Sequence, residues 1–334
     1  MSHTAVVILN YNGEKLLQQF LPSVIQYSQQ AEVIVADNGS TDHSLAILAH
    51  NFPSVRVITL DKNYGFCGGY NHALKQVEAD NYVLLNSDVE VTQGWLESPV
   101  RLLDDNKEIA AVQPKVLSFR QKNKFEYAGA AGGLIDSLGY PFCRGRIFAH
   151  VEEDKAQYND EVEIFWATGA CMIIRSKLYH QFEGLDEDFF AHMEEIDLCW
   201  KLHRAGYKIY YSGKSTVYHL GAGTLDYNSP RKTYLNFRNG LSLIFKHLDS
   251  SEITYKLPIR ILLDWLAAFI YLIKFQPNNT LAVLRAHVHF FKNIKRDKAK
   301  RKSIHKDYPT YPRSAIARGV ILVDYYLKGK KQYR

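Results

Sequence analysis

The first third of the chain alternates short, nearly continuous apolar runs with longer stretches in which apolar residues recur every three or four positions. Strands covered on both faces of a parallel sheet have the first pattern, and amphipathic helices have the second. The predicted strands are residues 4–9, 32–36, 55–60, 81–85 and 110–116. The predicted helices between them are residues 14–27, 42–51, 68–78 and 94–104. This alternation predicts an α/β fold with a mostly parallel sheet and right-handed crossovers.

The pattern changes at two points farther along the chain. Residues 117–165 show no regular alternation, and we expect an insertion of loops and short strands there. After it, the predicted helices are residues 176–182 and 195–205, and the predicted strands are residues 208–211 and 215–219. The last third is predicted to be helical over residues 232–248, 257–275, 280–294 and 314–327. We therefore expect a body of residues 1–229, with its insertion at about 117–165, and a helical C-terminal region of residues 230–334.

The net charge of +6 is unevenly divided between these two parts. Residues 1–229 contain 19 lysines and arginines against 29 acidic residues, whereas residues 230–334 contain 22 against 6. So basic a region predicts contact with an anionic surface, either phospholipid or nucleic acid. Its most apolar segment, residues 257–275, is interrupted by charges, and its uncharged runs are much shorter than the about 20 residues that cross a bilayer. We therefore predict no transmembrane helix.

The cysteines and the first residues indicate the compartment. Cys67, Cys143, Cys171 and Cys199 are widely spaced and form no CxxC pair, which argues against a secreted disulfide framework and against a zinc site. The chain starts with a short apolar run that no basic segment precedes, so we expect a strand there rather than a signal peptide. Both features favour a reducing cytosol.

Polar residues follow four of the predicted strands. Ligands of open α/β sheets bind at the carboxyl ends of the strands, so these loops are candidates for one cleft. The candidate ligand-binding residues are Asn10, Asn12, Asp37, Asn63, Gly65, Asn86 and Asp88. Asp37, at the end of a buried strand, is suited to accept a hydrogen bond from a nucleobase or a ribose. Asp88 is suited either to bind a divalent cation that bridges a diphosphate or to cap a helix, and Asp42 is expected to cap the next helix.

Residues 186–197 form a second polar cluster, with seven ionisable side chains among bulky aromatic residues. Adjacent residues of a helix diverge by about 100°, so only one of Glu194 and Glu195 can point at a given site. Aromatic neighbours would partly desolvate such a carboxylate, which raises its pKa toward that of a useful general base. Asp197 has a structural alternative, an ion pair with Lys201 one helical turn later.

The chain resembles family 2 glycosyltransferases, especially the bacterial rhamnosyltransferase-like members, in the order and spacing of six motifs. The motifs are Asn10-Tyr-Asn-Gly13, residues 37–42, Asn86-Ser-Asp88, Thr168-Gly-Ala170, residues 184–197 and His219-Leu-Gly221. The resemblance covers about residues 3–240. It implies a glycosyltransferase A type, nucleotide-sugar-binding fold for the body, in agreement with the sheet that the apolar pattern predicts.

The resemblance also implies roles for single residues. Asp37 would hold the nucleobase, and Asp88 stands at the metal-binding end of the family's DxD motif, in which Asn86 replaces the first aspartate. Glu195, beside Glu194, stands where the family keeps its catalytic base. His219 is similar to a histidine that completes the metal shell in some members, although a buried structural histidine is the alternative. The candidate metal ligands, for Mg²⁺ or Mn²⁺, are Asp88 and His219, and the candidates on the acceptor side of the cleft are Thr168, Gly169, Asp186 and Asp197.

These features predict an inverting, metal-dependent glycosyltransferase. It would move a sugar, rhamnose in the members it most resembles, from a nucleotide-diphosphate donor to a lipid-linked or polysaccharide acceptor of the cell envelope. We expect it on the cytoplasmic face of the membrane, with residues 257–302 bound to anionic lipid.

Three alternatives remain open at this stage. The C-terminal region could instead pack on the body or on a second subunit, as in a homodimer. A sugar nucleotidyltransferase shares such a nucleotide site, although the basic, glycine-rich loop of those enzymes is missing after the first strand. A protein that binds nucleic acid through the basic region would need stacking aromatics, for which Tyr308, Tyr311, Tyr325 and Tyr326 are candidates.

Overall fold

The structure, a computed structural model, describes residues 2–221 and 229–333. The strands and helices predicted for the first third are all present, and their ends differ from the prediction by a few residues. They are β1 (Thr4–Asn10), α1 (Glu14–Tyr27), β2 (Glu32–Asp37), α2 (Ser44–Asn51), β3 (Arg56–Thr59), α3 (Gly65–Leu74), β4 (Asn81–Asn86), α4 (Glu97–Asp105) and β6 (Ile109–Ser118). The short strand β5 (Val89–Val91), which lies between β4 and α4, has no counterpart in the sequence prediction.

The insertion consists of loops and short strands, as predicted. The strands are β7 (Gly133–Ile135), β8 (Pro141–Cys143), β9 (Arg146–Ile147), β10 (His150–Val151) and β11 (Glu161–Ile164). The first four form a separate antiparallel sheet in the order β10-β9-β8-β7. The last one, β11, joins the main sheet by pairing with β13.

The rest of the chain is mostly helical. Its elements are β12 (Cys171–Arg175), α5 (Ser176–Gln181), a 3₁₀ turn (Glu187–Phe189), α6 (Glu194–Arg204), β13 (Lys208–His219), α7 (Pro230–His247), α8 (Ser250–Ile273) and α9 (Pro277–Asp307). The two strands predicted within residues 208–219 are a single strand, β13, whose register against β6 shifts between Ser212 and Thr216. Within the described ranges, no helix is both long and apolar enough to cross a bilayer.

The main sheet positions the polar loops. Its order is β11-β13-β6-β12-β4-β1-β2-β3, with β5 paired to β13. Strands β3, β2, β1 and β4 are parallel, as are β6 and β13, and β12 runs antiparallel between the two groups. Asn10 is in register with Asp37, and Leu9 with Asn86. The loops that follow β1, β2 and β4 therefore lie side by side at one edge of the sheet.

Both faces of this sheet are covered. Val7 of β1 belongs to one hydrophobic core and Val6 to the other, as the alternation of a strand requires. The C-terminal helices pack on the first core, to which α7 contributes Ile244 and α9 contributes Phe290. The Ser229 hydroxyl caps the start of α7 by accepting a hydrogen bond from the N–H of Lys232.

The helix predicted for residues 314–327 is present only in its second half, residues 321–327, of which Val323–Leu327 form a short π helix. Before it, Gly319 has a φ of +95°, which interrupts a helix. The N–H of Ala317 donates to the Ile135 carbonyl, and the N–H of Ile321 donates to the buried Asp136 carboxylate, both at 2.8 Å. These N–H groups therefore bond to the insertion instead of to a preceding helical turn.

Candidate active site

Asn10 and Asp37 join the ends of β1 and β2, and both side chains are fully buried. Asn10 Nδ2 donates to Asp37 Oδ1 at 2.9 Å, and the Ser40 N–H donates to Asp37 Oδ2 at 3.0 Å. Each carboxylate oxygen has a second lone pair, so Asp37 can accept a further hydrogen bond from a ligand. A side chain at Gly13 would lie 2.3 Å from Asn10 Oδ1, so only glycine fits beside this pair.

The loop after β1 is tied to the loop after β2. Asn12, with a φ of +51°, accepts a hydrogen bond from the Thr41 N–H through its Oδ1 at 2.7 Å. Ser44 is the first residue of α2, and Glu14 is the first residue of α1. Asp42 accepts hydrogen bonds from the N–H groups of both, at 3.0 and 3.1 Å. Asp42 therefore pairs with the first N–H group of each helix, as a cap would, although the N-cap positions themselves are His43 and Gly13.

The loop after β3 meets the segment before α6. Asn63 Oδ1 accepts from Asn38 Nδ2 at 3.1 Å and from the Gly65 N–H at 2.8 Å. Gly65 has a φ of +72°, and a side chain there would lie 2.9 Å from the Phe190 ring. The glycine thus allows the loop after β3 to approach the acidic cluster of residues 186–197.

The pairing of β5 with β13 brings Asp88 next to His219. His219 Nε2 lies 3.1 Å from Asp88 Oδ1 and 3.5 Å from Asn86 Nδ2, and His219 Nδ1 lies 3.2 Å from Glu126 Oε2. Burial alone would lower the pKa of His219, but hydrogen bonds to the two carboxylates outweigh it and raise the pKa to about 10. The ring is therefore an imidazolium held between two buried carboxylates.

Asp88 and His219 have donor atoms that suit a divalent cation. Such a cation usually takes one or two protein carboxylates and completes its shell with phosphate oxygens and water. Within residues 2–221 and 229–333, no three acidic, histidine or cysteine side chains are grouped as a metal site. The pair therefore fits a cation that arrives with a diphosphate and does not fit a metal centre made of protein ligands alone. His219 would have to lose a proton to become a ligand.

The segment before α6 has an unusual backbone. Phe190, His192 and Met193 have φ values of +66°, +69° and +75°, which residues other than glycine rarely adopt. The buried Asn239 of α7 donates through Nδ2 to three carbonyls of this segment at 2.7–3.1 Å. The neighbouring Arg238 donates to two carbonyls at 2.8 and 3.0 Å. Helix α7 thus fixes the place where α6 begins.

Glu194 and Glu195 are the first two residues of α6. Oε2 of each is buried and has no hydrogen-bond partner among the described residues. Burial raises the pKa of Glu195 to about 7. Burial and the charge of Glu195 together raise the pKa of Glu194 well above its ordinary value. A pKa of about 7 suits Glu195 to accept a proton at neutral pH.

Asp186 and Asp197 lie in an ion network with α7. Lys246 Nζ is 2.6 Å from Asp197 Oδ1 and 2.8 Å from Asp186 Oδ2. His247 Nε2 is 2.7 Å from Asp197, and Lys201 is 3.6 Å from it, as the helical spacing predicted. These contacts give both aspartates a structural role, and the acceptor role inferred from the sequence stays a prediction.

Thr168 and Gly169 lie in the loop before β12. The Thr168 N–H donates to Gln113 Oε1 at 2.9 Å, and Gln113 Nε2 donates to the Gly129 carbonyl at 3.0 Å. A side chain at Gly169 would lie 3.3 Å from the Phe66 ring of α3. The loop is therefore packed closely against α3, and its contact with an acceptor stays a prediction.

A cavity of about 480 Å³ lies beside His219. Its lining includes Glu126 and His150 from the insertion and Leu220 from the end of β13. Because Glu126 also contacts His219, the cavity adjoins the Asp88–His219 pair. Its volume is in the range of small-molecule binding sites.

The model of glycosyl transferase family 2 matches residues 5–182. The chain belongs to this family. It is therefore a glycosyltransferase. The matched part of this family 2 chain includes Asp37 and Asp88, and it ends before Glu194, Glu195 and His219.

Two kinds of known protein resemble this family 2 glycosyltransferase. The N-acetylglucosaminyl-diphospho-decaprenol L-rhamnosyltransferase of Mycobacterium tuberculosis is 25% identical over 233 residues, 64% of this chain and 75% of that protein. The solved structure of mannosyltransferase PcManGT from Pyrobaculum calidifontis, in complex with GDP-Man and Mn²⁺, has a TM-score of 0.53 at 13% identity and covers 94% of this chain and 84% of that one. A TarS fragment from S. aureus has a TM-score of 0.57 at 18% identity, with 99% and 93% covered. The likeness to solved structures confirms the predicted fold.

Sequence reasoning missed three residues that organise this family 2 site. Glu126 lies in the insertion, where no pattern singles it out. Asn239 is one of several polar residues in the first ten of α7, and the sequence does not show which carbonyls it meets. Lys246 did leave a signal, because it interrupts the apolar run of residues 241–248, and a charge on an apolar helix face indicates a buried counter-charge.

Proposed function

We propose that this glycosyltransferase moves a sugar from a nucleotide-diphosphate donor to a hydroxyl of a lipid-linked or polysaccharide acceptor, with inversion at the anomeric carbon. The observation that carries the proposal is the environment of the Glu195 carboxyl. Its carboxyl has a buried oxygen without a partner among the described residues and a pKa of about 7, which suits a general base at neutral pH.

The donor would bind along the sheet edge. Asp37 would accept a hydrogen bond from the nucleobase, in a direction fixed by Asn10 and the Ser40 N–H. Asp88 and His219 would hold a divalent cation, Mg²⁺ or Mn²⁺, which when bound neutralises the charge of the leaving diphosphate. The Mn²⁺ in the complex of the mannosyltransferase named above supports the use of a divalent ion.

The transfer itself needs one base. Glu195 would take the proton of the attacking hydroxyl while the acceptor oxygen bonds to the anomeric carbon and the bond to the diphosphate oxygen breaks. A single base opposite the leaving group makes this a direct displacement, and direct displacement inverts the configuration. Burial and the charge of Glu195 both raise the pKa of Glu194, so an ionised Glu195 favours a protonated neighbour.

The mycobacterial relative is named for rhamnose transfer to a decaprenyl diphosphate sugar, which supports rhamnose and a lipid-linked acceptor for this chain. We place the reaction at the cytoplasmic face of the cell membrane, where such an acceptor would meet the enzyme.

A donor screen tests the proposal. The full chain is incubated with UDP-, dTDP- and GDP-sugars, with Mg²⁺, with Mn²⁺ or with EDTA, and thermal stabilisation and slow donor hydrolysis are measured. We expect one nucleotide class to stabilise the protein in the presence of metal and to be hydrolysed. If no donor does either, the proposed function is wrong.

A further inference from the structure

Helix α8 has the reverse polarity of an ordinary surface helix. Its buried face carries Lys256, Arg260 and Asp264, which are 8, 4 and 1% exposed. The Arg260 guanidinium lies 3.4 Å from the centre of the Tyr140 ring and 3.5 Å from Asp264, and His287 of α9 lies 3.3 Å from Asp264. The buried face of α8 is thus polar, and its charged residues form ion pairs within the protein.

The opposite face of α8 is apolar and exposed. Leu262, Leu266, Phe269 and Ile273 are 66, 53, 58 and 60% exposed. This row lies about 150° from the buried charges at 100° per residue. Phe275, in the connector between α8 and α9, is 93% exposed. Because α9 begins a few residues later and pairs with α8, the two helices form a hairpin.

The exposed side of α9 changes from apolar to basic along the helix. Leu281, Leu284, Val288 and Phe291 are 43, 48, 62 and 50% exposed. Farther along α9, the same side of the helix carries exposed lysines. Around the helix axis, they lie within about 60° of the mean position of the apolar row. These are Lys295, Lys298 and Lys302. We call the apolar row of α8, the apolar row of α9 and these three lysines the hairpin surface.

Other basic residues of α9 are used inside the protein. Arg296 lies 3.0 Å from Asp188, and Lys300 lies 2.6 Å from Asp186. The sequence alone assigned the whole segment 257–302 to an anionic surface. The contacts of Arg296 and Lys300 restrict that assignment to the hairpin surface, since these two residues neutralise the acidic segment before α6.

We propose that the hairpin surface docks on an anionic membrane, with its apolar rows in the headgroup region and its lysines against lipid phosphates. Apolar burial and electrostatic attraction together are what hold interfacial helices on such membranes. A second copy of the chain fits less well, because a twofold contact uses the same patch on both copies and would bring the two sets of lysines into one interface.

Vesicle sedimentation of the full chain tests this docking. The inference rests on the proposed function in one respect, namely that a lipid-linked acceptor lies in a membrane. The vesicles are phosphatidylcholine with and without phosphatidylglycerol. We expect binding to the anionic vesicles at low salt, and a remainder that resists high salt because salt does not screen apolar burial. Failure to bind anionic vesicles at low salt would overturn the inference.

Tryptophan fluorescence measures insertion into the bilayer without a change in the surface charge of the protein. Trp265 is 56% exposed, whereas Trp95, Trp166 and Trp200 are 0, 6 and 0% exposed. Lipids with brominated acyl chains should therefore quench the emission of Trp265 when the hairpin surface is in the bilayer, and Trp265→Phe should remove the quenched component. Binding without quenching would contradict the inference.

Variants separate the two parts of the surface. The triple change of Lys295, Lys298 and Lys302 to Gln should weaken binding to anionic vesicles by about tenfold or more. Leu262→Ser with Phe269→Ser should remove the salt-resistant remainder. The matched control changes the exposed Lys15, Lys107 and Lys177 to Gln, and it should bind as the wild type does.

Two further readouts complete the test. Donor stabilisation or hydrolysis without vesicle binding refutes the docking and leaves the proposed function standing. Vesicle binding with neither stabilisation nor hydrolysis refutes the proposed function and leaves the docking standing. Light scattering gives the oligomeric state without lipid. A dimer that Leu262→Ser with Phe269→Ser turns into a monomer, in a chain that ignores vesicles, would identify a second copy as the occupant and refute membrane docking.

Discussion

Two carboxyls, those of Glu194 and Glu195, lie side by side at the start of α6. We expect Glu195→Gln to keep donor binding and to lower transfer by about 10² to 10⁴ fold, the usual contribution of a general base. Glu194→Gln should have a smaller effect, because adjacent residues of a helix diverge by about 100° and only one of the two carboxyls can point at the reacting hydroxyl. Kinetics of the two variants with the donor found in the screen provide the measurement. The reverse ranking would move the base to Glu194.

The pKa of Glu195 also predicts how the transfer rate depends on pH. Burial raises the pKa of Glu195 to about 7, so the carboxylate form, which alone can take a proton, increases as the pH rises through 7. We expect kcat to rise with pH over that interval and to level off above it. Glu195→Asp should keep a rising limb, whereas Glu195→Gln should remove it from the residual rate. A wild-type profile flat from pH 6 to 8 would argue against Glu195 as the base.

Asp88 and Asp37 should respond differently to the same substitution. Asp88→Ala removes a carboxylate from the proposed cation site and should abolish the metal dependence of donor binding. Asp37→Ala should weaken binding of the free nucleoside diphosphate in the absence of metal as well, because its contact is with the nucleobase. Calorimetry with nucleoside diphosphate, with and without Mn²⁺, compares the two. Equal metal dependence in wild type and Asp88→Ala would exclude Asp88 as a ligand.

At the scale of elements, α7 sets the conformation of the segment that carries the base. Asn239→Ala removes one donor group that serves three carbonyls, and leaving buried polar groups unpaired costs about 1–3 kcal/mol each. We expect a lower melting temperature and a kcat that falls more than KM rises, because the change misplaces Glu195 and leaves the nucleotide loops intact. Asn236→Ala, a half-buried position on the same helix, is the matched control. Normal kcat in folded Asn239→Ala would remove its positioning role.

Elements with a strong local pattern were predictable from the sequence, and long-range contacts were not. The apolar runs of β1, β2 and β4 are continuous, so both the strands and the polar loops after them could be located. The first half of the helix expected at residues 314–327 is missing because backbone N–H groups there bond to Ile135 and Asp136, far away in the chain. Likewise, the sequence placed Asp88 and His219 in one site through a resemblance, but Glu126, their third partner, comes from a loop whose position depends on tertiary pairing.

At the scale of the whole molecule, one buried ion network connects the body to the C-terminal helices. Lys246 and Asp197 are each 1% exposed and 2.6 Å apart. Lys246→Met leaves a buried carboxylate without its main partner, which typically costs about 3–5 kcal/mol. Urea unfolding should show this loss, whereas Lys298→Met, at an exposed position, should stay within about 0.5 kcal/mol of the wild type. The double variant of Lys246→Met with Asp197→Asn should recover part of the loss.

This network also limits how the chain can be recombined with its relatives. The acidic segment before α6 comes from the body, and the Lys246 and Lys300 that neutralise it come from α7 and α9. A chimera joined at residue 229, with the body of one glycosyltransferase and the helices of another, would bring together carboxylates and lysines that were not selected as partners. Exchange of donor specificity between relatives should therefore succeed when loops at the sheet edge are grafted, and fail when whole bodies are exchanged without their helices.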